Sequence, residues 1–158
     1  MNIPLYQRYK KIYPKSIIMP KVTVGALLTR YFGDEPRILL TKRNVEPFKG
    51  YWCIPGGHIE QDEDAVNAVI REVKEETNLD FVPRFLSYLD EIFPERNTHN
   101  VVLLFQGEAS GEAKAEPAEV TEMEWFPVAD ALKMDLAFRH HEALELFADW
   151  KQRSDDRD

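Results

Sequence analysis

The sequence feature that most constrains this chain is the segment from Asp62 to Thr77, which has the pattern of an amphipathic helix. Apolar or small side chains recur four, seven and eleven positions after the first, at the spacing of one buried stripe, formed by Val66, Ile70, Val73 and Thr77. Acidic residues at positions 62 to 64 suit the positive end of the helix dipole, and Asn78 tolerates the left-handed backbone that ends many helices. The pattern predicts a helix that buries one face in a core.

The same helix carries a dense acidic patch. Glu72, Glu75 and Glu76 lie at i, i+3 and i+4 and therefore project together, roughly opposite the apolar stripe. An isolated run of this kind is usually only a solvated helix face. Neighbouring carboxylates repel one another unless a cation joins them, and hard oxygen ligands suit Mg²⁺ or Mn²⁺. The upstream Pro55-Gly56-Gly57 turn, whose backbone can approach a ligand or metal closely, favours the metal-site interpretation.

The segment from Gly57 to Leu79 resembles the signature of the Nudix family. That signature is Gly, five residues, Glu, seven residues, Arg-Glu-aliphatic, one residue, Glu-Glu, one residue, Gly-aliphatic. The chain supplies Gly57, Glu63, Arg71, Glu72, Val73, Glu75, Glu76 and Leu79 at those places. Asn78 stands where the family has glycine and is expected to preserve the helix-ending turn. Six fixed positions, each at a frequency of about 6–7%, coincide by chance on the order of once in ten million starts.

The resemblance covers roughly Val22 to Trp150, because PFKGYWCIPGG and EVTEMEWFPV are also typical of the family. It implies metal binding by Glu72, Glu75, Glu76 and the Gly57 carbonyl, with Glu63 and Arg71 as a supporting pair. It implies hydrolysis of a diphosphate linkage by water, with metals neutralising charge on the diphosphate oxygens. The family often places the general base before the Trp-bearing strand, which favours Glu119 and leaves Glu116 and Glu122 as alternatives.

Several other residues are weaker candidates. The Gly56-Gly57 turn can donate backbone N–H groups to phosphate, and Arg43 can reach phosphate or can be an exposed basic residue. The candidates for phosphate contact or base stacking, for most of which a structural or surface position is the simpler interpretation, are His99, His140, His141, Phe48, Tyr51, Trp52 and Phe93. Cys53 lies in an apolar run and is interpreted as a core residue rather than a catalytic thiol.

The order of elements predicts an α/β fold, a Nudix-type α/β/α sandwich with a mixed β-sheet between helices. Strands are predicted at 22–30, 37–42, 52–54, 81–92, 100–107 and 122–127, loops at 46–57 and 108–118, and a second helix at 139–151. The predicted organisation is an N-terminal extension (1–20), one hydrolase domain (21–152) and a disordered tail (153–158).

The charge and composition narrow the class of protein. A net charge of −8 argues against nucleic-acid or membrane surfaces, although an acidic site can bind phosphates through divalent cations. One cysteine excludes a disulfide framework within the chain, and the N-terminus lacks an apolar signal region, which predicts a cytoplasmic protein.

The signature does not identify the substrate. Pro94, fifteen residues beyond Leu79, and the run from Leu136 to His140 resemble members that act on ADP-ribose or NADH. The prediction is hydrolysis of ADP-ribose to AMP and ribose 5-phosphate. Two alternatives stay open: a nucleoside triphosphate pyrophosphohydrolase, and a non-catalytic Nudix domain that binds a nucleotide-sugar and regulates a partner. The oligomeric state also stays open, and a homodimer is one candidate because related ADP-ribose enzymes are often dimers.

Overall fold

The computed structural model describes residues 19–156, and the first eighteen residues, most of the predicted N-terminal extension, lie outside them. The strands are β1 (Lys21–Phe32), β2 (Glu35–Arg43), β3 (Trp52–Cys53), β4 (Gly56–His58), β5 (Asp80–Phe81), β6 (Arg84–Phe93), β7 (Thr98–Ser110) and β8 (Val120–Pro127). The helices are α1 (Ala65–Thr77), α2 (Val128–Ala131) and α3 (His140–Asp155), with a 3₁₀ turn at Pro94–Arg96.

The strands form a mixed sheet whose central path is β3-β2-β1-β7-β5. β1 and β7 run parallel, with Val24 opposite Leu103, and β1 pairs antiparallel with β2 and β4. β8 continues the sheet beside β2, and β6 lies beside β7. This topology places the glycine-bearing strand β4 directly against β1.

Two cores occupy the two faces of the sheet. Successive side chains of a strand point to opposite faces, so Leu27 packs on the α3 side and Leu28 on the α1 side. The first core includes Ile38, Leu40, Leu104, Leu144 and Phe147, and the second includes Val24, Ala26, Leu39, Val69 and Val73. The predicted sandwich of helices around a mixed sheet is confirmed.

The apolar stripe predicted for α1 is wrong at its N-terminal end. Val66 and Ile70 are 47% and 39% exposed. The buried residues of the helix are Ala68, Val69, Val73, Glu76 and Thr77. The helix is rotated so that small side chains meet the sheet and a glutamate shares the inward face. The acidic patch therefore adjoins the core face instead of lying opposite it.

The start of α1 also differs from the prediction. The helix begins at Ala65, because the Asp64 carboxylate caps it by accepting from Asn67 N at 2.8 Å. The acidic residues at 62 to 64 thus precede the first turn instead of forming it. Asn78 ends the helix in the left-handed conformation, at φ 61°, as predicted.

Four other boundaries depart from the sequence predictions. Gly56–His58 is a strand rather than loop, because its backbone pairs with β1. The predicted strand 81–92 is divided into β5 and β6, and β7 extends three residues into the predicted loop. α3 continues to Asp155, so residues 153–155 of the predicted disordered tail are helical. Among residues 19–156, no helix is long and apolar enough to cross a membrane.

Candidate active site

A cavity of about 630 Å³ opens at one edge of the sheet, between α1, the Gly56-Gly57 strand, the loop before β8 and the start of α3. Five carboxylates and one arginine line one part of it: Glu60, Glu72, Glu75, Glu76, Glu119 and Arg71. The remaining wall comes from other elements and includes Arg43, Pro47, Glu91, His99, Asn100, Phe138 and His140. The signature residues therefore meet residues that are far away in the sequence.

Two glycines lie in close contacts. A Cβ at Gly56 would collide with the Val24 carbonyl, because β4 crosses β1 at short range. A Cβ at Gly57 would overlap the carboxylate of Glu72. The second contact brings the predicted metal-binding helix directly against the Gly57 backbone.

Arg71 donates hydrogen bonds to several carboxylates in the acidic part of the cavity. Its Nε and Nη2 donate to the two carboxylate oxygens of Glu63 at 2.8 and 2.9 Å, and Nη2 also donates to the His58 carbonyl at 3.0 Å. Nη1 donates to Glu72 at 3.0 Å and to Glu75 at 3.2 Å. These hydrogen bonds lower the pKa of Glu63 to about 2 and raise that of Arg71. The predicted Glu63–Arg71 pair forms and fixes α1 against the loop that precedes it.

Glu76 is the buried carboxylate of the site. It is 8% exposed and accepts one hydrogen bond, from Gly56 N at 3.3 Å. Burial, followed by the charge of Glu72, raises the pKa of Glu76 to about 8. Burial also raises the pKa of Glu72, which Arg71 opposes. The inner part of the cavity therefore concentrates negative charge in a poorly solvated place.

The donor chemistry fits a hard divalent cation, but the side chains do not form a ready ligand set. Within the described part of the chain, no three His, Cys, Asp or Glu side chains are gathered so that they could hold a metal ion. The reason is that Arg71 engages Glu72 and Glu75, while Glu76 is turned to the Gly56 amide. Even so, the carboxylates in this part of the cavity outnumber the arginine. Carboxylate oxygens are the ligands that Mg²⁺ and Mn²⁺ prefer.

The loop before β8 distinguishes the three candidates for the base. Glu119 lines the cavity, and its charge contributes to the raised pKa values of Glu72 and Glu76. The carboxylate of Glu116 accepts from Ala118 N in its own turn, and Glu122 pairs with Lys42 at 2.9 Å. Neither Glu116 nor Glu122 lines the cavity. The geometry favours Glu119.

Arg43 lies on the cavity wall between the acidic part and the rest. Its Nε donates to the Pro47 carbonyl at 2.9 Å, and its guanidinium lies 4.9 Å from the centre of the Phe138 ring. Its positive charge opposes the rise in the pKa of both Glu76 and Glu91, which lie on different elements and line the same cavity. A fixed guanidinium at this place can face a phosphate group.

A family model described as NUDIX domain matches residues 19–147. The chain belongs to the Nudix family. The expected class, a Nudix pyrophosphohydrolase, agrees with the names of its relatives. An ADP-ribose pyrophosphatase of Methanocaldococcus jannaschii is 33% identical over 135 residues, which are 84% of this chain and 75% of that protein.

Two further similarities involve proteins whose descriptions mention ADP-ribose. The ADPR responsive transcriptional repressor NtrR of Acinetobacter baylyi is 30% identical over 150 residues, 89% of this chain but only 56% of the repressor. The Nudix domain of Shewanella oneidensis NrtR, solved as a cocrystal with ADP ribose, superposes with a TM-score of 0.75 at 27% identity. That alignment covers 93% of this chain and 98% of the other.

The remaining candidates of this Nudix domain lie in different places, some on the cavity wall and others away from it. His99 and His140 line the cavity, whereas His141 contacts the Leu132 carbonyl at 2.7 Å, outside it. Pro94 begins the exposed 3₁₀ turn after β6, where it ends the strand. Cys53 is buried as predicted, and burial raises its pKa to about 11.

The aromatic candidates are mostly packed against one another. Phe48 contacts Phe93, Tyr51 and Phe138, with ring centres 4.7 to 6.0 Å apart. Trp52 packs on Phe126 beside the core. None of these four candidates lines the cavity, whereas Phe138, which Phe48 contacts, does.

Sequence reasoning missed Glu91 and Asn100, which lie on β6 and β7 and line the cavity. The available signal is that Glu91 follows Leu89 by two positions, so both side chains point to the same, inward face of the strand. A charged residue on the inward face is unusual, but which face points inward becomes clear only when the register of β6 is known.

Proposed function

We propose that this protein hydrolyses the diphosphate linkage of a nucleoside diphosphate derivative, with ADP-ribose as substrate and AMP and ribose 5-phosphate as products. The observation that supports this most is the cavity, in which Gly57 and the α1 carboxylates meet Glu119 from a distant loop. The similarity to an ADP-ribose pyrophosphatase and to an ADP-ribose-bound domain supports the substrate.

The cofactor in this proposal is Mg²⁺ or Mn²⁺, in keeping with the general use of divalent metals by Nudix hydrolases. Glu72, Glu75, Glu76 and the Gly57 carbonyl would hold it. When bound, the cation neutralises charge on the diphosphate oxygens. To hold the cation, Glu72 and Glu75 would release Arg71, and Glu63 would remain as the partner of Arg71.

The protein side chains perform the other tasks. Glu119 accepts the proton of the attacking water, a P–O bond forms to that water, and the bridging P–O bond breaks. Arg43 and the backbone N–H groups of Gly56 and Gly57 bind the phosphate oxygens. The Glu63–Arg71 pair is a positioning element, because it holds α1 and the preceding loop together.

A second candidate is an ADP-ribose-binding regulatory domain without turnover. The similarity to the repressor and to the Nudix domain of NrtR favours it. The chain spans 56% of the repressor's length, so the function of that whole protein does not transfer to this chain by similarity.

One experiment separates the two candidates. Purified protein is incubated with ADP-ribose and with nucleoside triphosphates, with Mg²⁺ or with excess EDTA, and the products are identified. The proposal expects AMP and ribose 5-phosphate only when metal is present, an alkaline optimum, and a higher kcat/KM for ADP-ribose than for any triphosphate. Hydrolysis undiminished by EDTA would reject the metal. Release of pyrophosphate from a preferred triphosphate would reject the substrate, and tight binding without turnover would favour the regulator.

A further inference from the structure

Glu91 places a carboxylate inside the molecule where a strand of this kind normally carries an apolar side chain. On β6, Leu89 and Glu91 are buried, whereas Tyr88 and Ile92 on the other face are exposed. The Glu91 side chain is 4% exposed and lines the cavity. Charged residues are almost never buried to this degree unless they are paired.

The carboxylate is only half satisfied. Its Oε2 accepts from Asn100 Nδ2 at 3.3 Å. Its Oε1 is, among residues 19–156, the one buried side-chain nitrogen or oxygen without a hydrogen-bond partner. A buried acceptor without a donor costs about 1–3 kcal/mol, and more when it is charged. Oε1 itself is covered, while the Glu91 side chain lines the cavity, so a ligand that displaces the covering atoms can donate to it.

His140 does not supply the missing hydrogen bond. Its Nδ1 accepts from Ile54 N at 3.2 Å, so the neutral ring carries its proton on Nε2. That nitrogen lies 3.6 Å from Glu91 Oε1, beyond hydrogen-bond distance. Burial, with the positive charge of Arg43, lowers the pKa of His140 to about 3, so the ring is uncharged and forms no ion pair.

The groups around Glu91 partly offset the cost of burying its charge. Burial raises the pKa of Glu91, and the Asn100 hydrogen bond, the backbone and charge of Arg139, and the charge of Arg43 oppose that rise. Arg43 acts in the same way on Glu76, and all three residues line the cavity. The group attached to a diphosphate bound at Arg43 and the Gly56-Gly57 turn therefore shares this cavity with Glu91.

We propose that Oε1 of Glu91 accepts a hydrogen bond from an uncharged donor of the group attached to the diphosphate, and that a sugar hydroxyl fits best. The inference rests on the proposed function and adds a specificity-determining residue to it. A hydroxyl or amino group satisfies the acceptor without bringing negative charge. A third phosphate at this place would meet a buried carboxylate and be repelled. Glu91 therefore favours diphosphates that carry a sugar over triphosphates.

The test uses an isosteric variant and a matched control on the full chain. In Glu91→Gln, the glutamine oxygen can keep the Asn100 hydrogen bond, so an N–H donor replaces the acceptor Oε1. Glu91→Met removes both oxygens at similar length and is the second variant if the first does not fold. Asp90→Asn removes one charge from the neighbouring exposed position, which does not line the cavity.

Binding is measured without metal, by chemical-shift titration with ribose 5-phosphate, AMP and IMP. Loss of a hydrogen bond to a charged group is expected to weaken the ligand that carries the donor by about tenfold or more. The Asp90→Asn control should stay within about twofold of the wild type for all three ligands. In a hydrolysis assay, Glu91→Gln should raise the kcat/KM ratio of ATP to ADP-ribose by about tenfold or more.

The pattern of losses identifies the donor. Weaker binding of ribose 5-phosphate alone, or of AMP and IMP equally, assigns a sugar hydroxyl. If AMP binds more weakly but IMP does not, the donor is the amino group of the base. Glu91 is then still the acceptor, but its partner is the base and not the sugar. Equal loss for all three ligands, each of which carries a phosphorylated ribose, also assigns a sugar hydroxyl. No change with any of them overturns the proposal and leaves Glu91 as a structural residue. If the wild type does not hydrolyse ADP-ribose, the proposed function is rejected. The titrations then still test whether Glu91 binds a ligand, because they do not depend on hydrolysis.

Discussion

The helices on the two faces of the sheet are held by different forces. α3 packs Ala143, Leu144 and Phe147 into the core, so apolar burial fixes it. α1 meets the sheet through smaller side chains and buries Glu76 among them. Polar contacts hold α1 in addition: the N-cap at Asp64, the left-handed backbone of Asn78 at its C-terminus and the hydrogen bonds of Arg71. The helix that carries the proposed metal ligands thus has less hydrophobic contact and places carboxylates in a cavity.

The largest expected effect tests the apolar helix. Phe147→Ala should lower the free energy of unfolding by about 3–5 kcal/mol, because it removes a large, fully buried side chain and leaves a cavity. Val69→Ala, on the inward face of α1, should cost less, about 2 kcal/mol. Urea denaturation measures both. Equal losses would contradict the contrast between the helices. Below its thermal midpoint, Phe147→Ala should retain kcat.

The second prediction concerns the carboxylate helix. Glu76→Gln should lower kcat by at least about a hundredfold, about 2.7 kcal/mol, because a charge is removed from the proposed metal site. The same substitution at Glu145, exposed on α3, should leave kcat unchanged. Steady-state kinetics at saturating Mg²⁺ measures both variants. Near-normal activity of Glu76→Gln with an unchanged thermal midpoint would show that the acidic patch is only a protein surface.

The pH dependence of stability gives the same variant a second readout. Because the folded pKa of Glu76 is raised to about 8, the group contributes stability that is present at acidic pH and is lost as pH rises through about 8. Glu76→Gln lacks this loss. In EDTA, its thermal midpoint relative to the wild type should therefore rise between pH 5 and pH 9. A constant difference would show that Glu76 ionises normally in the folded protein.

A smaller effect is expected at the loop that completes the site. Glu119→Gln should lower kcat by about tenfold or more and change KM by less than about threefold, because a base acts chiefly in the transition state. Glu116→Gln and Glu122→Gln serve as controls, since neither carboxylate lines the cavity. Normal kcat in Glu119→Gln would move the base to another group and leave the rest of the site intact.

The smallest effect tests the polar end of α1. Asn78 has φ 61°, and its side chain donates to the Glu112 carbonyl at 3.1 Å. Asn78→Gly relieves the left-handed backbone but loses that bond, so the net change should stay within about 0.5 kcal/mol. Asn78→Ala should destabilise by about 1–2 kcal/mol. A large loss in the glycine variant would mean that the side-chain bond, not the backbone, ends the helix.

Much of the fold and part of the site follow from the sequence alone. Local patterns are sufficient for the helix around Arg71, its left-handed end at Asn78 and the Glu63–Arg71 pair, because these depend on contacts between residues within about two helical turns or one short loop. The fixed spacing from Gly57 to Leu79 also identifies the family, because it specifies which side chains lie on the same helix and the same turn.

Tertiary structure alone decided how those pieces face one another. The rotation of α1, which exposes Val66 and Ile70 and buries Glu76, depends on which side chains the sheet can accept at close range. The choice of Glu119 over its neighbours depends on a loop whose direction is set by the pairing of β8 with β2. Glu91 enters the cavity because β6 pairs with β7 in one register, and a shift of one residue would turn it to solvent. Side-chain chemistry is local, but burial and orientation are properties of the packed chain.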